Sequence, residues 1–211
     1  MDPAFISSLG AFVLTALAIE VTPGPNMGYL AVLSLSRGWQ VGVAAVIGVG
    51  LGHAVYGVLA ALGVAALIDA SPLLYELLRW AGVAYMVWLA YEAWNSEEET
   101  SPDVADHADP RLVRRAFRHG LVTNLLNPKA AIFFIAVVPS YIVAGQSVVK
   151  QTLILSGIFV LVATAVHLTI VLAAGRVQHF ANEPSRRKPV RRVLAIVLLG
   201  IAAWLAWSTA R

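Results

Sequence analysis

The sequence contains no cysteine and few charged residues. The absence of cysteine excludes disulfide bonds, thiol redox chemistry and metal sites built on thiolates. Only 13% of the 211 residues are charged, whereas soluble domains carry about 25%. Hydrophobic residues make up 59% of the chain, and its mean hydropathy is +0.75. We therefore predict an integral membrane protein of the all-α class.

Long apolar stretches indicate where the chain crosses the membrane. Residues 41–68, 152–175 and 193–210 contain no charge, and a helix needs about 20 such residues to cross the hydrocarbon core. With the less regular stretches, they predict six transmembrane helices, at residues 4–36, 41–68, 72–94, 112–145, 149–175 and 190–209. The apolar start has no basic residue before it, unlike a signal peptide, so we expect it to be retained as the first helix.

The first and fourth predicted spans are longer than a membrane requires, and each contains a proline motif. Residues 5–36 would form a helix of about 48 Å, against a hydrocarbon core of about 30 Å. Pro23-Gly24-Pro25 breaks the first span and Asn127-Pro128-Lys129 breaks the fourth. The single membrane domain, residues 1–211, therefore divides into three-helix repeats at 1–94 and 112–211. Since three crossings are odd, the second repeat is inverted, as in many transporters.

Charged residues outside the spans predict the orientation. Eleven of the fifteen Lys and Arg residues flank the gaps after the first, third and fifth spans: Arg37, Arg111, Arg114, Arg115, Arg118, Arg176, Arg186, Arg187, Lys188, Arg191 and Arg192. The positive-inside rule places these gaps in the cytoplasm and both termini outside it. The acidic segment 95–111 is then a solvated cytoplasmic linker, and its carboxylates lack the apolar frame of a metal site. The net charge of +3 reflects topology rather than nucleic acid binding.

The two proline motifs free backbone groups at membrane depth. A residue before a proline avoids helical dihedrals, so the carbonyls of residues 18–21 are expected to lose their partners. Beyond the breaks, Gly24 and Asn127 suit N-cap positions, because a proline follows each of them. The amides that begin the next helices then point back at the gap. Such groups survive in a membrane only where they line a cavity.

A zwitterion needs donors for its carboxylate and acceptors for its ammonium group, and two facing breaks offer both. The predicted substrate-binding residues are Pro23, Gly24, Pro25, Asn26, Asn124, Asn127, Pro128 and Lys129. A simple proline kink is the alternative for either motif taken alone.

Ionisable residues within the spans predict where protons are handled. A charge near the bilayer centre is costly and is by default a functional feature. Glu20, beside the first break, and His53 and His167, in the middle of their spans, are the candidates for proton coupling. The alternatives are that Glu20 lies near an interface in water and that each histidine is neutral and bonded to a carbonyl. No nucleotide loop or nucleophile–base pair is found, so we expect neither an enzyme nor a cofactor.

Several motifs resemble the LysE/RhtB family of amino-acid exporters. They are TPGPNM at 22–27, RGWQVG at 37–42, LRWAGVAYMVWLAYEAW at 78–94 and FRHGLVTNLLNPKAAIFFIAVVP at 117–139. The resemblance covers nearly the whole chain in order and implies a plasma-membrane exporter of amino acids or close derivatives, coupled to protons. One departure is Asn26, because the family often has aspartate after PGP, and this weakens the transfer of ion coupling.

Together these features predict a multi-pass carrier of the inner or plasma membrane, an antiporter that works by alternating access. Its partners would be a small amino-acid substrate, protons and membrane lipids, without nucleic acid, and a homodimer is left open. Two rivals also stay open. Export of an inorganic cation predicts converging carboxylates or histidines with few cationic groups, and a scaffold without transport would tolerate replacement of both motifs.

Overall fold

The computed structural model describes residues 3–63, 71–95, 109–178, 183 and 187–208, and its regular elements are all helical. The α-helices are α1 (Pro3–Val21), α2 (Pro25–Arg37), α3 (Trp39–Ala61), α4 (Pro72–Asn95), α5 (Pro110–Leu125), α6 (Pro128–Ile132), α7 (Val148–Arg176) and α8 (Arg187–Ser208). A π-helical turn, Phe133–Val137, and a 3₁₀ turn, Val138–Tyr141, continue α6. The predicted all-α fold is confirmed.

Among the described residues, five helices are long and apolar enough to cross a membrane: α1, α3, α4, α7 and α8. A sixth crossing is formed if α5 and the segment Pro128–Tyr141 are taken as one span bent by 53°. The chain is therefore a multi-pass membrane protein. The inverted relation of its two halves stays a prediction.

Some helix boundaries differ from those predicted. α1 alone has 19 residues, so the span predicted at 4–36 comprises one full-length helix followed by the 13-residue α2. α3 ends at Ala61 rather than residue 68, because Gly63 adopts a φ of 78° that glycine tolerates best. α5 begins at Pro110, where the side chain of Asp109 accepts a hydrogen bond from the amide of Arg111 and caps the helix. The acidic run at 96–108 lies outside the described residues.

Helix α3 occupies the centre, where it packs against α5 and α7, while α4 packs against α8. Glycines bring α3 and α5 into backbone contact. A Cβ atom on Gly48 would lie 2.1 Å from the carbonyl oxygen of Phe117, and one on Gly120 would lie 2.2 Å from that of Ala45. Small residues are needed wherever two membrane helices approach this closely.

Two clusters of buried apolar side chains fill the bundle at different depths. Val49 and Val171 belong to one cluster, and Tyr56 and Ala163 belong to the other. His53 of α3 and His167 of α7 each fall between the two clusters along their helices, and both are buried. The two buried histidines therefore form a polar layer at intermediate depth, with apolar packing above and below.

Three of the described basic residues mark one end of the bundle. Arg37, at the end of α2, and Arg115, near the start of α5, line the same cavity. The guanidinium of Arg192 lies 5.4 Å from the ring centre of Trp94, near the end of α4. We term this the basic end. The prediction that it faces the cytoplasm rests on the positive-inside rule.

Candidate functional site

The two proline breaks lie against each other. Residues 22–24 separate α1 from α2, and residues 126–127 separate α5 from α6. Lys129, just after the second break, donates a hydrogen bond from Nζ to the carbonyl oxygen of Thr22 in the first, at 2.6 Å. A Cβ atom on Gly24 would lie 3.4 Å from Cδ of Lys129. The lysine side chain therefore bridges the two breaks and packs on the backbone of the first.

The residues around each break determine which backbone groups stay unpaired. Gly24 and Asn127 occupy the N-cap positions of α2 and α6, and Oδ1 of Asn127 accepts a hydrogen bond from the amide of Lys129 at 3.1 Å. The expectation that the carbonyls of residues 18–21 all lose their partners is wrong. The hydroxyl and amide of Thr22 donate to the carbonyls of Ala18 and Ile19, at 2.9 and 3.1 Å, because Thr22 completes the last turn of α1.

A buried acid and two histidines lie beside the breaks. The side chain of Glu20 places Oε2 3.2 Å from Nε2 of His167. The rings of His167 and His53 are stacked, with centroids 6.1 Å apart and an interplanar angle of 9°. Glu20 is only 5% exposed, so the alternative that it lies in water at an interface is wrong. Nδ1 of His53 is buried without a hydrogen-bond partner in the described structure, contrary to the alternative that a carbonyl satisfies it.

Two buried asparagines join the helices on either side of the breaks. Nδ2 of Asn26, in α2, donates to Oδ1 of Asn124, in α5, at 2.8 Å. Among the described residues, Oδ1 of Asn26 and Nδ2 of Asn124 have no partner. Gly52 of α3 makes room for this pair, since a Cβ atom there would lie 2.6 Å from Nδ2 of Asn124. Buried polar groups are normally paired, so this unused donor and acceptor mark a candidate ligand contact or a bond that forms in another conformation.

These groups enclose a small space, which we term the inner cavity. Its lining residues are Glu20, Gly24, Asn26, Met27, His53, Asn127, Lys129, Ala130 and His167. The volume open to the centre of a water molecule is about 10 Å³, which is room for about one water. All three residues predicted for proton coupling line this cavity. It is too small for an amino acid in this conformation.

The predicted substrate-binding residues are only partly brought to the inner cavity. Gly24, Asn26, Asn127 and Lys129 line it, whereas Pro23, Pro25, Asn124 and Pro128 do not. Pro25 and Pro128 are the first residues of α2 and α6, so they position the helix starts. Asn124 is joined to the cavity lining by its hydrogen bond to Asn26. Met27 and Ala130 complete the lining, and the predicted set does not include them.

Tyr56 lies outside the predicted set of site residues and supports the second break from a neighbouring helix. Its hydroxyl donates to the carbonyl of Leu125 at 2.7 Å. Leu125 is the last residue of α5, and carbonyls at a helix end have no donor within the helix. Tyr56 therefore stabilises the second break from α3. The spacing could have found it, because it follows His53 by three residues and so shares its helix face.

Comparison with known proteins matches the sequence of this chain to one family. Residues 16–209 match the family described as LysE type translocator. The chain belongs to the LysE type translocator family. The resemblance stated from the sequence motifs is thereby confirmed, and this LysE type translocator is a transporter, not an enzyme.

Individual relatives match over most of the LysE type translocator's length. It is 28% identical over 196 residues to a homoserine/homoserine lactone efflux protein of Salmonella typhimurium strain LT2, with 93% of this chain and 94% of the relative covered. It is 28% identical over 198 residues to a leucine efflux protein of Enterobacter sp. strain 638, with 92% and 93% covered. An uncharacterized membrane protein of Pseudomonas aeruginosa is 31% identical over 176 residues, with 81% and 80% covered. No solved structure matches the chain.

Proposed function

We propose that this translocator exports amino acids or close derivatives across the cell membrane. The relatives with efflux names match it over more than nine-tenths of its length. Homoserine and leucine both carry an ammonium and a carboxylate group on one carbon atom. A protein that exports such molecules needs a site where a cationic and an anionic group are held side by side.

The hydrogen bond from Lys129 to the carbonyl of Thr22 carries the proposal. It places an ammonium group on an acceptor where the two breaks meet, as a substrate ammonium would be placed. In the proposed complex the substrate takes over the Thr22 carbonyl, and Lys129 turns to its carboxylate. Charge-assisted hydrogen bonds of this kind are about twice as strong as neutral ones. The helix starts after Gly24 and Asn127 add a positive potential that favours the carboxylate.

Transport through this site requires a change of conformation. The inner cavity holds about one water, so it must widen before it accepts an amino acid. We infer an alternating-access cycle in which the two broken helices move relative to α3 and α7. Movement of inverted repeats around a fixed central site is a common design in secondary transporters.

Proton coupling is assigned to Glu20 and His167, with His53 as the next group. The 3.2 Å contact between Glu20 and His167 and the stacked ring of His53 support this assignment, since all three side chains can bind a proton and all line the inner cavity. A substrate that displaces Lys129 changes the charge facing Glu20, so binding and protonation are linked. An antiport cycle follows if a proton enters on this group as the substrate leaves.

Counterflow in proteoliposomes tests the site. The protein is reconstituted with homoserine on both sides, and uptake of labelled homoserine is measured, with leucine in parallel. Lys129→Gln is expected to lower the exchange rate by about tenfold or more, because the substrate carboxylate loses one charge-assisted hydrogen bond. Lys150→Gln is the matched control, because Lys150 is exposed in the first turn of α7. Normal exchange by correctly inserted Lys129→Gln would contradict the assignment.

The same vesicles test the coupling. Glu20→Gln removes the charge of the acid without changing its size. We expect substrate-for-substrate exchange to persist, because it moves no net proton, while stimulation of export by a pH gradient is lost. Glu76→Gln serves as the control, since Glu76 pairs with Arg79 at 2.8 Å, away from the inner cavity. A Glu20→Gln protein that still responds to the gradient would remove Glu20 from the coupling mechanism.

The rival function, export of an inorganic cation, is disfavoured by the ammonium group of Lys129 in the cavity lining. A cation would have to bind beside this positive charge. Uptake of a metal ion that persists in Lys129→Gln, without any amino-acid exchange by the wild type, would favour the rival.

A further inference from the structure

A second, larger cavity lies between α2, α4, α5 and α8 at the basic end, and we term it the outer cavity. Its polar lining residues are Tyr29, Ser36, Arg37, Glu92, Arg115 and His119. Helix α2 lines both cavities in succession. Asn26 of the inner cavity and Tyr29 of the outer cavity are three residues apart, or about 4.5 Å along the helix axis. The outer cavity therefore extends from the basic end to the neighbourhood of the Asn26–Asn124 hydrogen bond.

The outer cavity has the room that the inner cavity lacks. The volume open to the centre of a water molecule is about 110 Å³, compared with about 10 Å³ inside. Since about 10–15 Å³ of this measure holds one water, the outer cavity holds a group of waters or a small organic molecule. In this conformation a small amino acid fits into the outer cavity but not into the inner cavity.

An acidic and a basic side chain form an ion pair in the lining of the outer cavity. The guanidinium of Arg115 donates to Oε1 of Glu92, and the two side chains are 56% and 28% exposed. Ion pairs with this exposure contribute little to stability, because water screens the attraction between the charges. A ligand can therefore open the pair at low cost. A molecule with one ammonium and one carboxylate group can replace both partners at once with charge-assisted hydrogen bonds.

A buried hydroxyl supplies a second, independent indication of a ligand. Tyr29 is only 4% exposed, and its hydroxyl has no hydrogen-bond partner within the described structure. Buried hydroxyls are rarely left unpaired. Tyr29 lines the inner part of the outer cavity, on the same helix as Arg37. A ligand held by Arg115 and Glu92 would bring polar atoms to this region.

We propose that the outer cavity is a second amino-acid site, where Arg115 binds the carboxylate and Glu92 the ammonium group before the substrate moves to the inner cavity. The inference rests on the proposed function for the class of ligand. The Asn26–Asn124 pair separates the two sites along α2 and α5, so passage between them requires that pair to open. Under the predicted orientation, the outer site collects substrate from the cytoplasm.

Equilibrium dialysis with labelled homoserine tests the second site. The full chain is placed in nanodiscs of purely zwitterionic lipid, which removes anionic headgroups as competitors for Arg115. We expect Lys129→Gln to retain one binding event per chain, because its outer cavity is intact. Adding Arg115→Gln to that variant is expected to weaken the remaining binding by about tenfold or more, the loss of one charge-assisted hydrogen bond. Tyr29→Phe in the same background should weaken it by less.

Adding Arg114→Gln to Lys129→Gln is the matched control. Arg114 has the same charge, is exposed and precedes Arg115, but it does not line the outer cavity. Equal losses with Arg114→Gln and Arg115→Gln would overturn the proposal, since they indicate a general charge effect. Loss of all binding in Lys129→Gln alone would also overturn it, although the inner site would then stand.

A lipid headgroup is the other ligand that two arginines could bind. This alternative is tested in nanodiscs that contain anionic lipid. If Arg115→Gln lowers the retention of that lipid but leaves homoserine binding unchanged, the second amino-acid site is overturned. Normal counterflow by Lys129→Gln would refute the inner site and so distinguishes failure of the proposed function from failure of this inference.

Discussion

Lys129 and Tyr56 each donate a hydrogen bond to a backbone carbonyl at a helix break. Lys129 donates to Thr22 and Tyr56 donates to Leu125, at 2.6 and 2.7 Å. A buried carbonyl without a donor costs about 1–3 kcal/mol. The two residues differ in what they can do next. The long lysine side chain can leave its carbonyl for a substrate carboxylate, whereas the tyrosine is held by the aromatic packing of its ring on Phe134.

This difference predicts a purely structural role for the Tyr56 hydroxyl. Tyr56→Phe is expected to lower the free energy of unfolding by about 1–3 kcal/mol, because the carbonyl of Leu125 loses its donor. Thermal unfolding of the purified protein in detergent measures the change. Tyr29→Phe is the matched control, since it removes a buried hydroxyl that has no partner among the described residues. Equal shifts in Tm for the two variants would show that the hydrogen bond to Leu125 contributes nothing specific.

The ionisable residues of the inner cavity could be predicted singly, but their pairing could not. Glu20, His53, Lys129 and His167 stand out because charged or titratable side chains are costly within apolar spans. Nothing in the local sequence indicates that Glu20 contacts His167. The Asn26–Asn124 hydrogen bond joins residues 98 positions apart, and only the packing of α2 on α5 brings them together.

At the scale of helices, the proline motifs indicate where α2 and α6 begin, because proline suits the first helical position. Hydropathy locates the spans but not their ends. The apolar run of the second span continues past Gly63, yet the left-handed conformation of that glycine ends the helix. The sequence motifs do not indicate the π-helical turn after α6. Such turns occur often at functional sites, and here Phe133 and Phe134 pack against Phe159.

The contact between α3 and α5 predicts a severe effect of a small substitution. Gly120→Ala would place a Cβ atom 2.2 Å from the carbonyl oxygen of Ala45, so the two helices must separate. We expect a loss of about 1–3 kcal/mol in stability, typical of overpacking, measured as a lower Tm in detergent. Gly157→Ala in α7 is the control, because no atom lies within 4 Å of its added Cβ and alanine favours a helix by up to about 1 kcal/mol. A Gly120→Ala protein as stable as Gly157→Ala would contradict the close packing of α3 on α5.

For the molecule as a whole, the polar layer between two apolar clusters explains how charged groups are kept at membrane depth. The inner cavity lies in this layer, and the outer cavity opens beside the cluster at the basic end. Under the proposed function a substrate passes through both cavities, so the orientation of the basic end decides which of them it meets first. Composition alone predicts that the chain lies in a membrane, and the distribution of basic residues predicts its orientation there.

The two ends of α7 offer a direct test of the orientation. Because the natural chain has no cysteine, single-cysteine variants need no further changes. Gln146→Cys, just before α7, and Val177→Cys, just after it, are both exposed and leave every charge in place. We expect a membrane-impermeant maleimide to label Gln146→Cys in intact cells, and to label Val177→Cys only after the membrane is opened.

A third variant, Ser7→Cys, tests the N-terminal region. This region lies at the same end as residue 146, because Phe12 and Thr15 both contact Tyr141. It should therefore label like Gln146→Cys. Labelling of Val177→Cys alone in intact cells would reverse the orientation, and the outer site would then face the outside of the cell.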